Sequence, residues 1–309
     1  MALSVGDMNS EHVRSITLGS VEVLRVIEWQ GPFLPAHQLV PGFGAERWEE
    51  NAGWLAPQHW VPESGLAAAA LQTWVLRSGG RTVLVDTSVG NGRERPETPA
   101  FHQWQGDFLG RLAAAGVRPE DVDVVVNTHL HADHVGWNTT ESDGEWVPTF
   151  PNAQYLLHAA DDFHLGPGNS YGGGREAELI YQDSIEPVDR SGQLARWEGE
   201  HRIDENLVLE SAPGHTPGSS VLRLESGGER AVFVGDLMHS PAQIIAPSCN
   251  SCWCVDPAQA AASRHRILER AAARRELVVP AHFGGAGALE VRRAPGGGFA
   301  IERWAAAFA

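Results

Sequence analysis

Lysine is absent: all 23 basic residues are arginine. A Schiff-base lysine and a phosphate-loop lysine are both excluded at once. The bias reflects codon usage rather than chemistry. Cysteine is scarce, with three residues at 249, 252 and 254. That is too few for a disulfide framework, so a reducing cytoplasm is the expected compartment. No apolar run reaches the roughly 18 residues that a membrane span needs. The opening MALSVGDMNSEHVRS has neither a basic n-region nor an apolar h-region, so no secretory signal is expected. Positive charge is outnumbered, and the net charge of -16 repels phosphate backbones. Nucleic acid is therefore not an expected partner.

What remains is an ordinary globular composition, 42% hydrophobic and 20% charged over 309 residues. This length is within reach of a single large α/β domain spanning residues 1–309. Residues 12–28 alternate apolar and polar around Gly-Ser and read as a β-hairpin. Residues 29–64 are rich in proline, glycine and aromatics. They are too long for a plain connection and read as a substrate loop or a homodimer arm. Residues 71–90 read as two strands joined by Ser78-Gly79-Gly80, and 108–117 as a short helix stopped by Gly116. A buried strand follows over 121–131, then a strand and helix start over 153–163. The glycine-rich stretch 165–176 lacks Gly-Lys-Ser/Thr and is no phosphate loop; with Tyr171 it is a candidate lid. Strands are expected over 201–215 and over 219–236, the latter turning at a second Gly-Gly. An amphipathic helix over 257–275 has Asp256 as its N-cap, and 276–285 reads as a final strand.

THLHADHVGW, residues 128–137, crowds four metal-binding side chains into six positions: His129, His131, Asp133 and His134. Strand-like stretches also end in His215, Asp236 and His282. Active sites of layered α/β proteins gather where strands end. His129 and His131, two apart, can face the same way, and with His215 they make a face of imidazoles suited to Zn²⁺ with an open position. Asp133, His134 and His282 form a second N/O set. Asp236 can then give one oxygen to each of two ions, which share a hydroxide as nucleophile. This donor set favours zinc, with Fe, Mn and Co left open.

The same stretches, THLHADHVGW, SAPGHTPGS, FVGDLMHS and VPAHFGG in that order, resemble the metallo-β-lactamase superfamily over residues 70–285. The resemblance implies a four-layer αββα sandwich with two divalent ions at one edge of its sheets. It implies His129, His131 and His215 on one ion, Asp133, His134 and His282 on the other, and Asp236 as the bridge. Asp86, at the end of VLVD, falls on a family position that orients the ligand loop.

Departures within the family narrow the reading. β-Lactamases of this fold generally lack the bridging aspartate. Oxygen-reducing di-iron members carry glutamate where His131 stands, and glyoxalase II has a helical C-terminal domain that is not recognised here. Members that process tRNA favour RNA, against the charge of this chain. What remains is similar to the quorum-quenching lactonases and, around GDLMH, to methyl parathion hydrolase. Lactonases typically carry a tyrosine three residues after the bridging aspartate; here that residue is His239. The expected protein is a dinuclear hydrolase that opens a lactone or small carboxylic ester by attack of the bridging hydroxide. Asp133 doubles as a proton shuttle, and His239 binds a substrate oxygen or protonates a leaving group. A phosphotriesterase is the alternative, and a metal-binding protein without turnover is the non-enzymatic one. In CNSCWC, residues 249–254, the C-x2-C-x-C spacing is not that of a zinc knuckle, and a Cys252–Cys254 disulfide would be strained. Free thiols are expected, lining the pocket.

Overall fold

In a computed structural model, the structure describes residues 13–172 and 174–308. The N-terminal segment, with the expected absence of a signal and the first residue of the predicted hairpin, lies outside the described residues. So does Gly173 of the candidate lid. The chain divides into two compact units. One holds the residues up to Thr17, Val21–Trp29 and Leu71–Asp204; the other holds Leu18–Ser20, Gln30–Ala70 and the residues from Glu205 onward.

The first unit is organised by parallel strands. Arg81–Val85, Val124–Val126, Gln154–His158 and Leu194–Trp197 lie side by side, all running the same way. Val124, Val125 and Val126 are all buried, as expected for a central parallel strand covered on both faces. Each such valine contributes about 1.5–3 kcal/mol by leaving water, which holds a strand this short in place. The core around it includes Leu84, Val125, Phe108, Leu112, Phe150 and Tyr155. The predicted helix forms at Phe108–Ala114 and ends before Gly116, whose φ of +70° suits only glycine well. Neighbouring parallel strands thus deliver Asp86, the 127–131 segment and the helix Ala159–Leu165 to one sheet edge.

The second unit has its own sheet. Leu207–Ser211, Ser220–Ser226 and Glu229–Gly235 pair antiparallel in sequence. Glu229–Gly235 then runs parallel to Leu277–Pro280, with Gly235 opposite Pro280. Two adjacent strand ends therefore present Asp236 and His282 side by side. The turn between Leu207–Ser211 and Ser220–Ser226 brings His215 to the same edge. A register shift between Phe233 and Gly235, with Gly235 at φ +49°, re-aims the strand end just before Asp236. Pro257–Arg274 is the predicted helix, and Asp256 caps it by accepting from the Gln259 amide at 2.9 Å.

One strand assignment differs from expectation, and one long stretch gains internal structure. Leu277–Pro280 is not the last strand: Leu289–Arg293 and Phe299–Trp304 follow as an antiparallel hairpin extending the same sheet. Their alternation is diluted by arginines on the outward face, which hides it in the sequence. The 29–64 stretch continues the strand to Pro35, then folds into short helices at Ala36–Leu39, Ala45–Glu50 and Ala52–Leu55. Phe43, Trp48 and Trp60 are buried there against Ala242, Ala246 and Cys249.

Candidate metal centre

In the first unit, the motif residues sit on the loop and short helix that follow Val124–Val126. Asp86 organises them. Its Oδ1 accepts from the Thr128 amide and its Oδ2 from the Thr128 hydroxyl, both at 2.8 Å. The same Oδ2 lies 2.8 Å from His134 Nδ1. A buried carboxylate there fixes the proton on Nδ1 and leaves Nε2 as a ligand. Asp86 sits at φ +59° and Ser88 at φ +49°, left-handed positions that surrounding bonds must maintain. They do so: the Asp86 amide donates to Val126 O at 2.8 Å, and the Thr87 amide donates to His134 O at the same distance. Gly136 is required, because a Cβ there would lie 1.9 Å from the Val89 carbonyl.

The imidazoles converge. His129 Nε2 lies 3.1 Å from His131 Nδ1, and the His129 and His134 ring centres are 4.0 Å apart. His129 Nδ1 meets Thr128 Oγ1 at 3.2 Å. Asp133 Oδ1 is 3.7 Å from His134 Nε2. Behind the loop, the buried Arg93 guanidinium donates to the carbonyls of Gly136 and Thr139 and pairs with Asp183 at 2.9 Å. Arg95 holds the same Asp183 with a two-pronged contact at 2.8 and 2.9 Å. Nothing in the sequence near these residues marks this brace, because Asp183 is about ninety positions away.

In the second unit, one carboxylate collects three rings. Asp236 Oδ1 is 2.9 Å from His282 Nε2; Oδ2 is 3.0 Å from His239 Nε2 and 3.4 Å from His215 Nε2. The opposite nitrogen of His282 donates to Ala70 O at 2.9 Å. All four side chains are buried. Asp236, His239 and His282 offer ligand atoms within 4.8 Å of one another. Burial pushes His239 down to about 4 despite the facing carboxylate, so its ring is neutral near pH 7. Burial acts against charge on His215 too, but there Asp236 and Cys254 prevail and lift it to about 9. His239 Nδ1 is buried with no hydrogen-bond partner among the described residues.

The loop behind Asp236 is held by a buried arginine. Arg264 donates to Leu237 O at 2.7 Å, Pro247 O at 2.6 Å and Cys249 O at 3.0 Å. The His239 amide donates to Gln243 Oε1 at 2.7 Å. The three cysteines are free: Cys249 is buried, Cys252 exposed and Cys254 partly buried. Trp253, 40% exposed, lies with its ring 5.3 Å from that of His239 and 6.3 Å from Phe33.

The donor chemistry fits divalent cations. Imidazoles and carboxylates are gathered in buried positions, and protein acceptors fix the tautomers of His134 and His282 from behind. Residues 71–282 match the Metallo-beta-lactamase superfamily, and the chain belongs to that superfamily. Its fold is the metallo-β-lactamase fold. It aligns with the crystal structure of the hydrolase AbOPH of the β-lactamase superfamily at a TM-score of 0.76 and 23% identity, covering 94% of this chain and 96% of that one. The dizinc quorum-quenching lactonase AidC gives 0.74 at 20% identity, with the same coverages of 94% and 96%. Among sequences, Metallo-beta-lactamase domain-containing protein 1 of Homo sapiens is 28% identical over 213 residues, 56% of this chain and 74% of that one. The N-acyl homoserine lactonase AttM of Azorhizobium caulinodans is 29% identical over 142 residues, 42% of this chain and 46% of that one. Among the described residues, no helix is long and apolar enough to cross a membrane.

Proposed function

We propose that the protein is a two-metal hydrolase that opens lactones or other small carboxylic esters. The observation that carries this reading is Asp236, a buried carboxylate with imidazole Nε2 atoms on both of its oxygens. We assign His129, His131 and His215 with one Asp236 oxygen to the first cation. Asp133, His134 and His282 with the other oxygen are assigned to the second. Zinc is the metal that this mixture of nitrogen and oxygen donors suits best. Bound there, such ions supply Lewis acidity and a nucleophile derived from water near neutral pH.

The side chains do the rest. Asp86 and Ala70 O hold His134 and His282 with Nε2 presented. Asp133 moves the proton that the alkoxide needs after ring opening. His239 is neutral, so its one N–H, the Nε2 proton that faces Asp236 Oδ2, is the donor a substrate oxygen at the ions would share. Trp253 and Phe33 form an apolar wall beside it, suited to the acyl or aryl part of a substrate. In this reading, part of the 29–64 stretch walls the substrate pocket.

The test is elemental analysis of purified protein with a parallel rate panel: an acyl-homoserine lactone, an aryl ester, methyl parathion and a β-lactam. About two metals per chain, with chelator-sensitive turnover fastest on the lactone, is the expected result. A faster phosphotriester would move the protein to the second reading, which His239 in place of a tyrosine favours. Metal without turnover on any of these would mean a binding protein.

A further inference from the structure

A ligand imidazole usually has one ring nitrogen held by a protein acceptor, so that the other faces the ion. For His129, His134 and His282 the holder is an oxygen, at 3.2, 2.8 and 2.9 Å respectively. His215 differs. Its Nδ1 faces the Cys254 sulfur, at 4.0 Å.

Backbone structure puts the sulfur there. The Val255 amide donates to His215 O at 3.0 Å and the Asp256 amide to Gly214 O at 2.9 Å, so 254–256 runs alongside 214–215. Ser251 Oγ lies 3.5 Å from the sulfur on another side. Gly214 sits at φ +133°, and a Cβ there would come within 2.1 Å of the Ala260 amide nitrogen. The first turn of Pro257–Arg274 thus presses directly on the His215 loop. With both segments pinned to that helix start, Cys254 is placed against His215 by the fold.

We infer that Cys254 is the positioning residue of His215: its sulfur accepts the Nδ1 proton and so presents Nε2 to the cation. The inference rests on the assignment of His215 as a ligand. Sulfur is a weaker and longer-range acceptor than carboxylate. An aspartate at 254 would hold His215 by a charge-assisted bond.

The experiment is metal affinity by competition with a chromogenic chelator, for wild type, Cys254→Ala, Cys254→Ser and Cys254→Asp. Melting temperatures of the metal-free proteins are measured alongside, together with the cobalt(II) spectrum of wild type. Cys254→Ala should weaken one metal by about 10–100-fold with little change in metal-free melting, as loss of an outer partner does. Cys254→Ser should fall between, and Cys254→Asp should match or exceed wild type. Wild-type affinity in Cys254→Ala, or Cys254→Asp no better than Cys254→Ala, would overturn the inference. So would a sulfur-to-cobalt charge-transfer band in wild type, which would make Cys254 a ligand. If wild type itself takes up no metal, the reading of the whole centre fails and not the role of Cys254 alone.

Discussion

Asp236 stands where three imidazoles meet, and its removal separates the readings most cleanly. Asp236→Ala should abolish most turnover and release much of one metal, measured by elemental analysis and initial rates. Full metal content with near-normal turnover would sink the bridging assignment. His239→Ala should lower turnover on the best substrate while metal content stays at the wild-type level. If neither turnover nor KM moves, the ring is packing. Single residues also show how far the sequence could be read. His129, His131, Asp133 and His134 are legible because four donors in six positions have no ordinary structural use. Asp86 is legible only through the family resemblance, since a lone aspartate after a strand has no local signature. Cys254 was not legible as a partner of His215. The contact joins positions 39 apart, and only the backbone pairing of 214–215 with 255–256 brings them together.

At the scale of elements, the loop 237–250 depends on Arg264. Arg264→Met keeps an unbranched stem but leaves the carbonyls of Leu237 and Pro247 without that donor, while Cys249 O keeps the Gln243 side-chain amide at 3.1 Å. A loss of about 3 kcal/mol in chemical denaturation is expected, because unpaired buried acceptors cost about 1–3 kcal/mol each and part of the loop can rehydrate. A loss under about 0.5 kcal/mol, the range of neutral surface changes, would show that the brace is redundant. Trp253→Ala should raise KM for long-chain or aryl substrates and leave kcat nearly unchanged, the pattern of lost uniform binding. An equal fall in kcat would instead place Trp253 at the reacting atoms. Hairpins that turn at Ser78-Gly79-Gly80 and Gly227-Gly228 were legible because alternation and turn chemistry agree. The hairpin after Pro280 was not, because its outward arginines mask the alternation. Nor were the short helices of 36–55, whose aromatics suggest a surface loop but pack inward.

At the scale of the molecule, metal and fold should be linked. A chelator should lower the melting temperature, and restored zinc should bring it back in a concentration-dependent way, since ligands that bind only the folded chain stabilise it. An unchanged melting curve after demonstrated metal loss would contradict the proposed ligand assignment. The order of synthesis adds a constraint. Every segment of the first unit precedes residue 205, whereas the second unit, although it claims 18–20 and 30–70, is completed only by the chain from Glu205 onward. A growing chain folds as its units become available. The motif histidines and Asp86 therefore leave the ribosome well before His215, Asp236 and His282 exist. On the proposed ligand assignment, tight metal capture becomes a late event of biogenesis, and a chain truncated near residue 204 should hold zinc only weakly.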